Sequence, residues 1–89
     1  MSNVFIAFQV NEDSRSVVQA ILADNPNAVA VESPGMVKID APDILTIRRE
    51  TIESMTGSRF DLQQLHVNLI TLSGHIDEDD DQLTLSWQH

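Results

Sequence analysis

The chain has no cysteine, and this absence excludes several kinds of functional site. Without thiols there are no disulfides, no thiolate nucleophile and none of the usual cysteine ligand sets of structural zinc or iron–sulfur centres. With only three glycines in the whole chain, no GxGxxG or P-loop cradle for phosphates can be assembled. There is no GxSxG motif either, so the sequence offers no recognisable nucleophile.

Basic residues are also scarce, with five Lys and Arg against fourteen Asp and Glu and a formal net charge of −9. Nucleic-acid binding depends on cations that neutralise phosphates, and anionic membranes attract the same cations. We therefore expect no nucleic acid and no membrane as a partner. No apolar run approaches the ~20 residues that span a bilayer, and the N-terminus lacks the features of a signal peptide, so we expect a cytoplasmic location.

Length and periodicity predict one domain over residues 1–89, of the α+β class. Apolar residues mark six short strands at 4–9, 28–32, 36–41, 45–48, 67–72 and 83–87. Residues 11–14 begin a helix that stops at 24–26, and a second helix spans 51–55 before Gly57. Asp61 can cap a further helical turn, with Phe60 and Leu65 in the positions of a hydrophobic staple. The order is β-α-β-β followed by β-α-β-β, with two small sheets packed on short helices and a hairpin turn at 33–35.

The acidic run 77–81 has the composition of a calcium loop but not its pattern. An EF-hand loop that began at Asp77 would need Gly at its sixth position and Glu at its twelfth, and these positions hold Gln82 and Gln88. Blocks of like charge are usually solvated because they repel one another. We therefore expect the run to be a solvated hairpin loop.

Three histidines and one arginine pair are the other candidates for chemistry. His66, His75 and His89 form neither HxxxH nor HExxH, so the spacing does not indicate a metal site. The pair 48–49 could clamp a carboxylate or phosphate. The simpler interpretation sends one arginine to solvent and the other to an acid such as Glu50 or Asp43.

The predicted strand 67–72 has more apolar residues than one core needs. Strict alternation places Val67, Leu69 and Thr71 on one face, and Asn68, Ile70 and Leu72 on the other. If the first set packs on the core, the second set needs another layer. Either a second sheet of the same domain or a partner protein could cover it. The same alternation in the last strand places Leu83, Leu85 and Trp87 on its core face.

The order and spacing of several segments are similar to those of a known family. The segments are VFIAFQVNEDSR, AILADNPNAV, IRRETIE, DLQQLHVNLITLSG, and HIDEDDD followed by LTLSW. Over essentially all 89 residues the chain resembles the coupling (effector, or regulatory) proteins of bacterial multicomponent diiron monooxygenases, and within them the phenol hydroxylase branch. It lacks the long N-terminal tail of the methane-oxidising branch, so no mechanism that depends on that tail is expected.

The resemblance implies a cofactor-free regulatory subunit that is not itself an enzyme. Such proteins bind the large subunit of a hydroxylase that carries a diiron centre, and they promote coupled hydroxylation of aromatic substrates such as phenol. The NADH-dependent reductase shares or competes for the same region of the hydroxylase. An effector of this kind must bind one hydroxylase conformation better than another.

The resemblance also implies where the hydroxylase binds. In the related methane-oxidising effector, the strand and loop after the VNL-like segment face the hydroxylase. The matching positions of this chain are Asn68, Ile70, Thr71, Leu72, Ser73, Gly74 and His75. The alternative from another class is a small-molecule-sensing regulatory domain of the ferredoxin-like type, which the β-α-β-β halves permit.

Overall fold

The computed structural model describes residues 3–87, which form seven strands and three helices. The strands are β1 (Asn3–Gln9), β2 (Val29–Ser33), β3 (Met36–Pro42), β4 (Ile44–Arg48), β5 (Leu69–Ser73), β6 (His75–Glu78) and β7 (Gln82–Ser86). The helices are α1 (Glu12–Asp24), α2 (Arg49–Thr56) and α3 (Leu65–Asn68), with a 3-10 turn at Leu62–Gln64 just before α3. No helix within residues 3–87 is long and apolar enough to cross a membrane.

The strands form two antiparallel sheets, as expected for the α+β class. The larger sheet has the order β2-β3-β1-β5, and the smaller has the order β4-β7-β6. The predicted hairpin between β2 and β3 is confirmed: Ser33 pairs with Met36, and Gly35 has φ +77°, which suits the third position of a type II turn. The first β-α-β-β unit is therefore present as predicted.

The second unit differs from the prediction. It contains an additional strand, β6, because Asp77 and Glu78 pair with β7 instead of lying in a loop. In addition, β5 joins the first sheet by pairing with β1, so the two halves of the chain are interleaved. The sequence did not indicate β6, because Asp and Glu rarely occur in strands. Here the strand is held by its pairing with β7.

Helix α1 packs against the sheets through the predicted apolar stripe. Val17 and Ile21 are buried, and Val18 and Leu22 are partly buried against the same core. At the end of the helix the Asn25 amide donates to the Thr46 carbonyl at 2.6 Å and accepts from the Thr46 N–H at 2.9 Å. These two bonds tie α1 to β4, which is a strand of the smaller sheet.

The last strand holds a further correction. Leu83 and Leu85 are buried as predicted, but Trp87 follows the end of β7 and is 45% exposed. Its indole N–H donates to the carbonyl of Asn3 at 2.9 Å, so the ring lies across the start of β1. The alternation rule placed Trp87 in the core because it assumed that the strand continued.

The chain passes between the two sheets at Asp43, between β3 and β4, and again at Gly74, the single residue between β5 and β6. Its φ is +135°, a backbone conformation that side-chain-bearing residues rarely adopt. A Cβ at this position would lie 3.0 Å from Val4 Cγ1 and 3.1 Å from Leu85 Cγ. Val4 belongs to the larger sheet and Leu85 to the smaller, so the backbone passes between side chains of both sheets, where an added Cβ would be crowded.

We expect Gly74→Ala to lower the free energy of unfolding by about 2–5 kcal/mol, from backbone strain and overpacking together. Gly35→Ala is the matched control, since Gly35 also has positive φ but nothing lies within 4 Å of its added Cβ. The control should lose only about 1 kcal/mol. Urea unfolding of both variants tests this, and equal losses would mean that close packing at Gly74 is unimportant.

Candidate partner-binding surface

The segment that leads into β5 is helical where the sequence predicted a strand. Asp61 caps the 3-10 turn, and its carboxylate accepts from the Gln63 N–H at 2.9 Å. The buried Leu62 and Leu65 then fix the turn and α3 against the core. Residue 67 therefore belongs to a helix, and Val67 points outward with 77% of its surface exposed. Strict alternation, which placed Val67 on the same face as Leu69, therefore does not hold at residue 67.

A β-bulge in β5 decides which of its side chains face the core. Ala7 pairs with Thr71, but the next residue of β1, Phe8, pairs with Leu69. Ile70 is therefore the extra residue of the bulge, and strict alternation fails at this point. Leu69 and Leu72, three residues apart, both pack against the core.

The bulge corrects the predicted division of this strand into two faces. Leu72 was expected beside Ile70 on the outer face, but it is partly buried against the core. Thr71, which strict alternation placed on the same face as Leu69, is exposed. Ile70 is 46% exposed, as a residue that awaits a partner would be.

The predicted site residues follow one another along the chain from the end of α3, through β5, to the start of β6. Asn68 ends α3, Ile70 and Thr71 are exposed on β5, and His75 is exposed at the start of β6. Leu72, Ser73 and Gly74 lie between Thr71 and His75 in the chain. They are partly buried, so less of their surface is available for contact with a partner. We call residues 67–76 the contact ridge; this stretch contains no Asp, Glu, Lys or Arg.

One apolar residue extends this surface and was missed from the sequence. Val67 lies directly before Asn68 and is 77% exposed. A groove of about 460 Å³ lies beside the ridge, with Phe8, Val17, Phe60, Leu65 and Val67 among its lining residues. The capping signal at Asp61, extended by one more turn, could have identified Val67.

A side-chain contact of His66, the residue before the ridge, ties this segment to the second sheet. His66 Nε2 lies 3.2 Å from a carboxylate oxygen of Glu78 on β6. Gln63 Nε2 donates to the other oxygen of the same carboxylate at 3.3 Å. The side chain of Glu78 is thus engaged with the helical segment, and it is not part of a freely solvated run.

The acidic loop itself is shorter than predicted, since only residues 79–81 connect β6 and β7. Asp79 Oδ1 accepts from the backbone N–H groups of Asp81 at 2.8 Å and Gln82 at 2.9 Å. Arg49 reaches this loop: its guanidinium donates to Asp81 Oδ1 at 3.0 Å. Of the arginine pair 48–49, Arg49 therefore forms its ion pair with Asp81, and not with Glu50 or Asp43.

Among the side chains that the structure describes, no three of His, Cys, Asp or Glu lie close enough together to hold a metal ion. Asp79, the central acid of the calcium hypothesis, uses its carboxylate to close the turn. His89, the third histidine considered from the sequence, lies outside the described residues.

The hydrogen bonds of Asp79 in the turn lead us to expect that stability depends on pH. The backbone N–H groups of Gln82 and Asp81 hold the pKa of the Asp79 carboxyl below its ordinary value of 3.8. Because the folded-state pKa is lowered, the contribution to stability is present above about pH 4 and is lost as the pH falls through the folded value. Asp79→Asn keeps an acceptor oxygen but does not titrate, so the stability difference between wild type and variant should shrink below pH 4. Urea unfolding from pH 3 to pH 7 measures it, and a difference that does not change with pH would contradict the prediction.

Comparison with known proteins places the chain. It is 48% identical over 88 residues to the phenol 2-monooxygenase stimulatory component DmpM of Pseudomonas sp. (strain CF600), covering 99% of this chain and 98% of that protein. A chain of a solved phenol hydroxylase–regulatory protein complex superposes with a TM-score of 0.94 at 42% identity, over 98% of this chain and all of that chain. The regulatory protein B of soluble methane monooxygenase, 15% identical, shares the fold with a TM-score of 0.76 over 97% of this chain and 65% of that chain. Residues 2–86 match the MmoB/DmpM family, and the chain belongs to that family.

Proposed function

We propose that the chain is the regulatory component of a phenol or related aromatic monooxygenase, a cofactor-free subunit that binds the hydroxylase and promotes coupled hydroxylation. The observation that carries the proposal is the likeness over the full length of the chain to a stimulatory component of phenol 2-monooxygenase. The 0.94 TM-score with a chain of the phenol hydroxylase–regulatory protein complex supports it, since both comparisons span nearly the whole of each chain.

The contact ridge is the part of the chain that binds the hydroxylase. Val67 and Ile70 expose apolar surface there, and Ile70 stands on a bulge, which re-aims a side chain away from the sheet. Neighbouring exposed apolar residues mark protein interaction sites more often than single scattered ones do. Because the ridge carries no Asp, Glu, Lys or Arg, covering it does not require the desolvation of a charged carboxylate or ammonium.

Regulation follows from preferential binding. If the ridge fits one conformation of the hydroxylase better than another, binding shifts the hydroxylase toward that conformation by the difference in affinity. The diiron chemistry belongs to the hydroxylase, and this chain contributes a shaped surface. The NADH-dependent reductase is proposed to act on the same region of the hydroxylase, and all three components are proposed to work in the cytoplasm.

Reconstitution tests the function directly. With hydroxylase and reductase held constant, adding this chain should raise the rate of product formation and the amount of product per NADH consumed. Both should saturate as the hydroxylase sites fill. A rate and a coupling ratio that stay unchanged at saturating concentrations would sink the proposal.

The ridge is tested by Ile70→Glu. A charge buried against the hydroxylase without a partner is costly, so the dissociation constant should rise by roughly 10- to 100-fold. The fold should be retained, because Ile70 is 46% exposed and lies on the outer side of the bulge. Isothermal titration against the hydroxylase gives the affinity, and circular dichroism with urea unfolding gives the fold and its stability.

Ile44→Glu is the matched control for this substitution. Ile44 is the same residue type, is 53% exposed and lies on β4 in the other sheet. It should bind the hydroxylase as wild type does. Equal weakening by both variants would mean that added charge anywhere impairs binding, and the ridge would lose its special role.

A further inference from the structure

Asn11 occupies the junction between β1 and α1 and makes two kinds of contact. It is the N-cap of α1, where its side-chain oxygen accepts from the Ser14 N–H at 2.9 Å and its backbone N–H donates to Ser14 Oγ at 3.0 Å. These local bonds leave the amide nitrogen of the side chain free. That nitrogen donates to Asn68 Oδ1 at 2.9 Å, although the two residues are 57 positions apart in the sequence.

The bond to Asn68 lies at the weak point of the contact ridge. The ladder between β1 and β5 is interrupted between Ala7 and Phe8, and beyond the interruption it continues only as the pair Phe8–Leu69. A bulge leaves its extra residue unpaired, so the ladder itself constrains the strand poorly at that point. Asn68 precedes Leu69, and its bond to Asn11 holds the ridge on the far side of the bulge.

The residue type at position 11 matters for the bond to Asn68 but not for helix capping. Ser, Asp and Asn cap helices about equally well, so capping alone does not require asparagine. An asparagine side chain both accepts through its oxygen and donates through its nitrogen, whereas a serine hydroxyl is shorter and does not span to Asn68 while it caps. One side chain thus starts the helix and anchors the ridge.

We infer that Asn11 is a positioning residue for the regulatory interaction: through Asn68 it fixes the register of β5 across the bulge and so aims Ile70 and Thr71 at the hydroxylase. The inference rests on the proposed function. Asn11 need not touch the hydroxylase to have this effect, because it acts through the strand that does.

The test compares Asn11→Ser with Asn11→Asp in the reconstituted system. Asn11→Ser keeps the cap and loses the bond to Asn68, so the concentration of regulatory chain for half-maximal stimulation should rise roughly three- to tenfold. Asn11→Asp keeps the cap with one oxygen and offers the other to Asn68, whose amide can rotate to donate. The aspartate variant should therefore behave as wild type.

Hydrogen exchange gives a readout that does not depend on activity. The amides of Ile70 and Thr71 should exchange several-fold faster in Asn11→Ser than in wild type or Asn11→Asp. Ser14→Ala is the control for helix capping: it removes the reciprocal cap bond but leaves the contact with Asn68. Ser14→Ala should lower the free energy of unfolding. For the folded protein, the concentration of regulatory chain that gives half-maximal stimulation should not change.

The outcomes separate the inference from the function on which it rests. If the wild-type chain does not stimulate the hydroxylase, the proposed function fails. If wild type stimulates and Asn11→Ser matches it in both stimulation and exchange, the positioning role of Asn11 is overturned. If Asn11→Asp is impaired as strongly as Asn11→Ser, the effect does not pass through the bond to Asn68, and the inference is again overturned.

Discussion

The two sheets share one core, and where the chain passes between them at Gly74 the backbone packs directly against that core because glycine has no side chain. The crossing brings Val4 of β1 and Leu85 of β7 against the same backbone. Both residues are fully buried, whereas Gly74 itself is only partly buried, so the crossing lies at the surface of the core and covers these two side chains. Everything after β5 depends on this passage, because β6 and β7 can reach β4 only if the chain leaves the larger sheet here.

The contact ridge spans both sheets. It begins on a helix, continues along an edge strand and ends on a strand of the other sheet. The bulge at Ile70 interrupts regular alternation, with Leu69 and Leu72 directed inward and Ile70 left outside. The exposed residue that we assign to the partner thus arises from the irregular pairing of β5 with β1.

Local signals allowed the first half of the fold to be predicted. Pro34 and Gly35 are turn residues, and the helix start at Asn11 rests on side-chain bonds between residues three apart. These features depend on neighbours in sequence, so they are visible in the sequence. The two-sheet α+β architecture followed from the same signals.

The rest could not be predicted because it depends on pairing between distant segments. The bulge exists only because β5 pairs with β1, and no feature of the sequence around Ile70 indicates it. Strand β6 is held by β7, although its sequence includes Asp77 and Glu78. Trp87 was assigned to the core by alternation, yet it bonds to Asn3, 84 residues away. Which residues of the predicted ridge are exposed became clear only from the register of β5 with β1.

The charge distribution is consistent with a surface that binds by shape while the rest of the chain steers. The chain has a net charge of −9, yet residues 67–76 include none of its fourteen acids. Long-range attraction toward a basic docking region can therefore come from acids outside the ridge, and it acts on the rate of encounter and weakens with salt. We propose that contact specificity depends on Ile70 and its neighbours, whose burial is insensitive to salt. A protein that regulates by favouring one conformation of its partner benefits from this division, because steering brings the partners together in any state and the uncharged ridge distinguishes between the states.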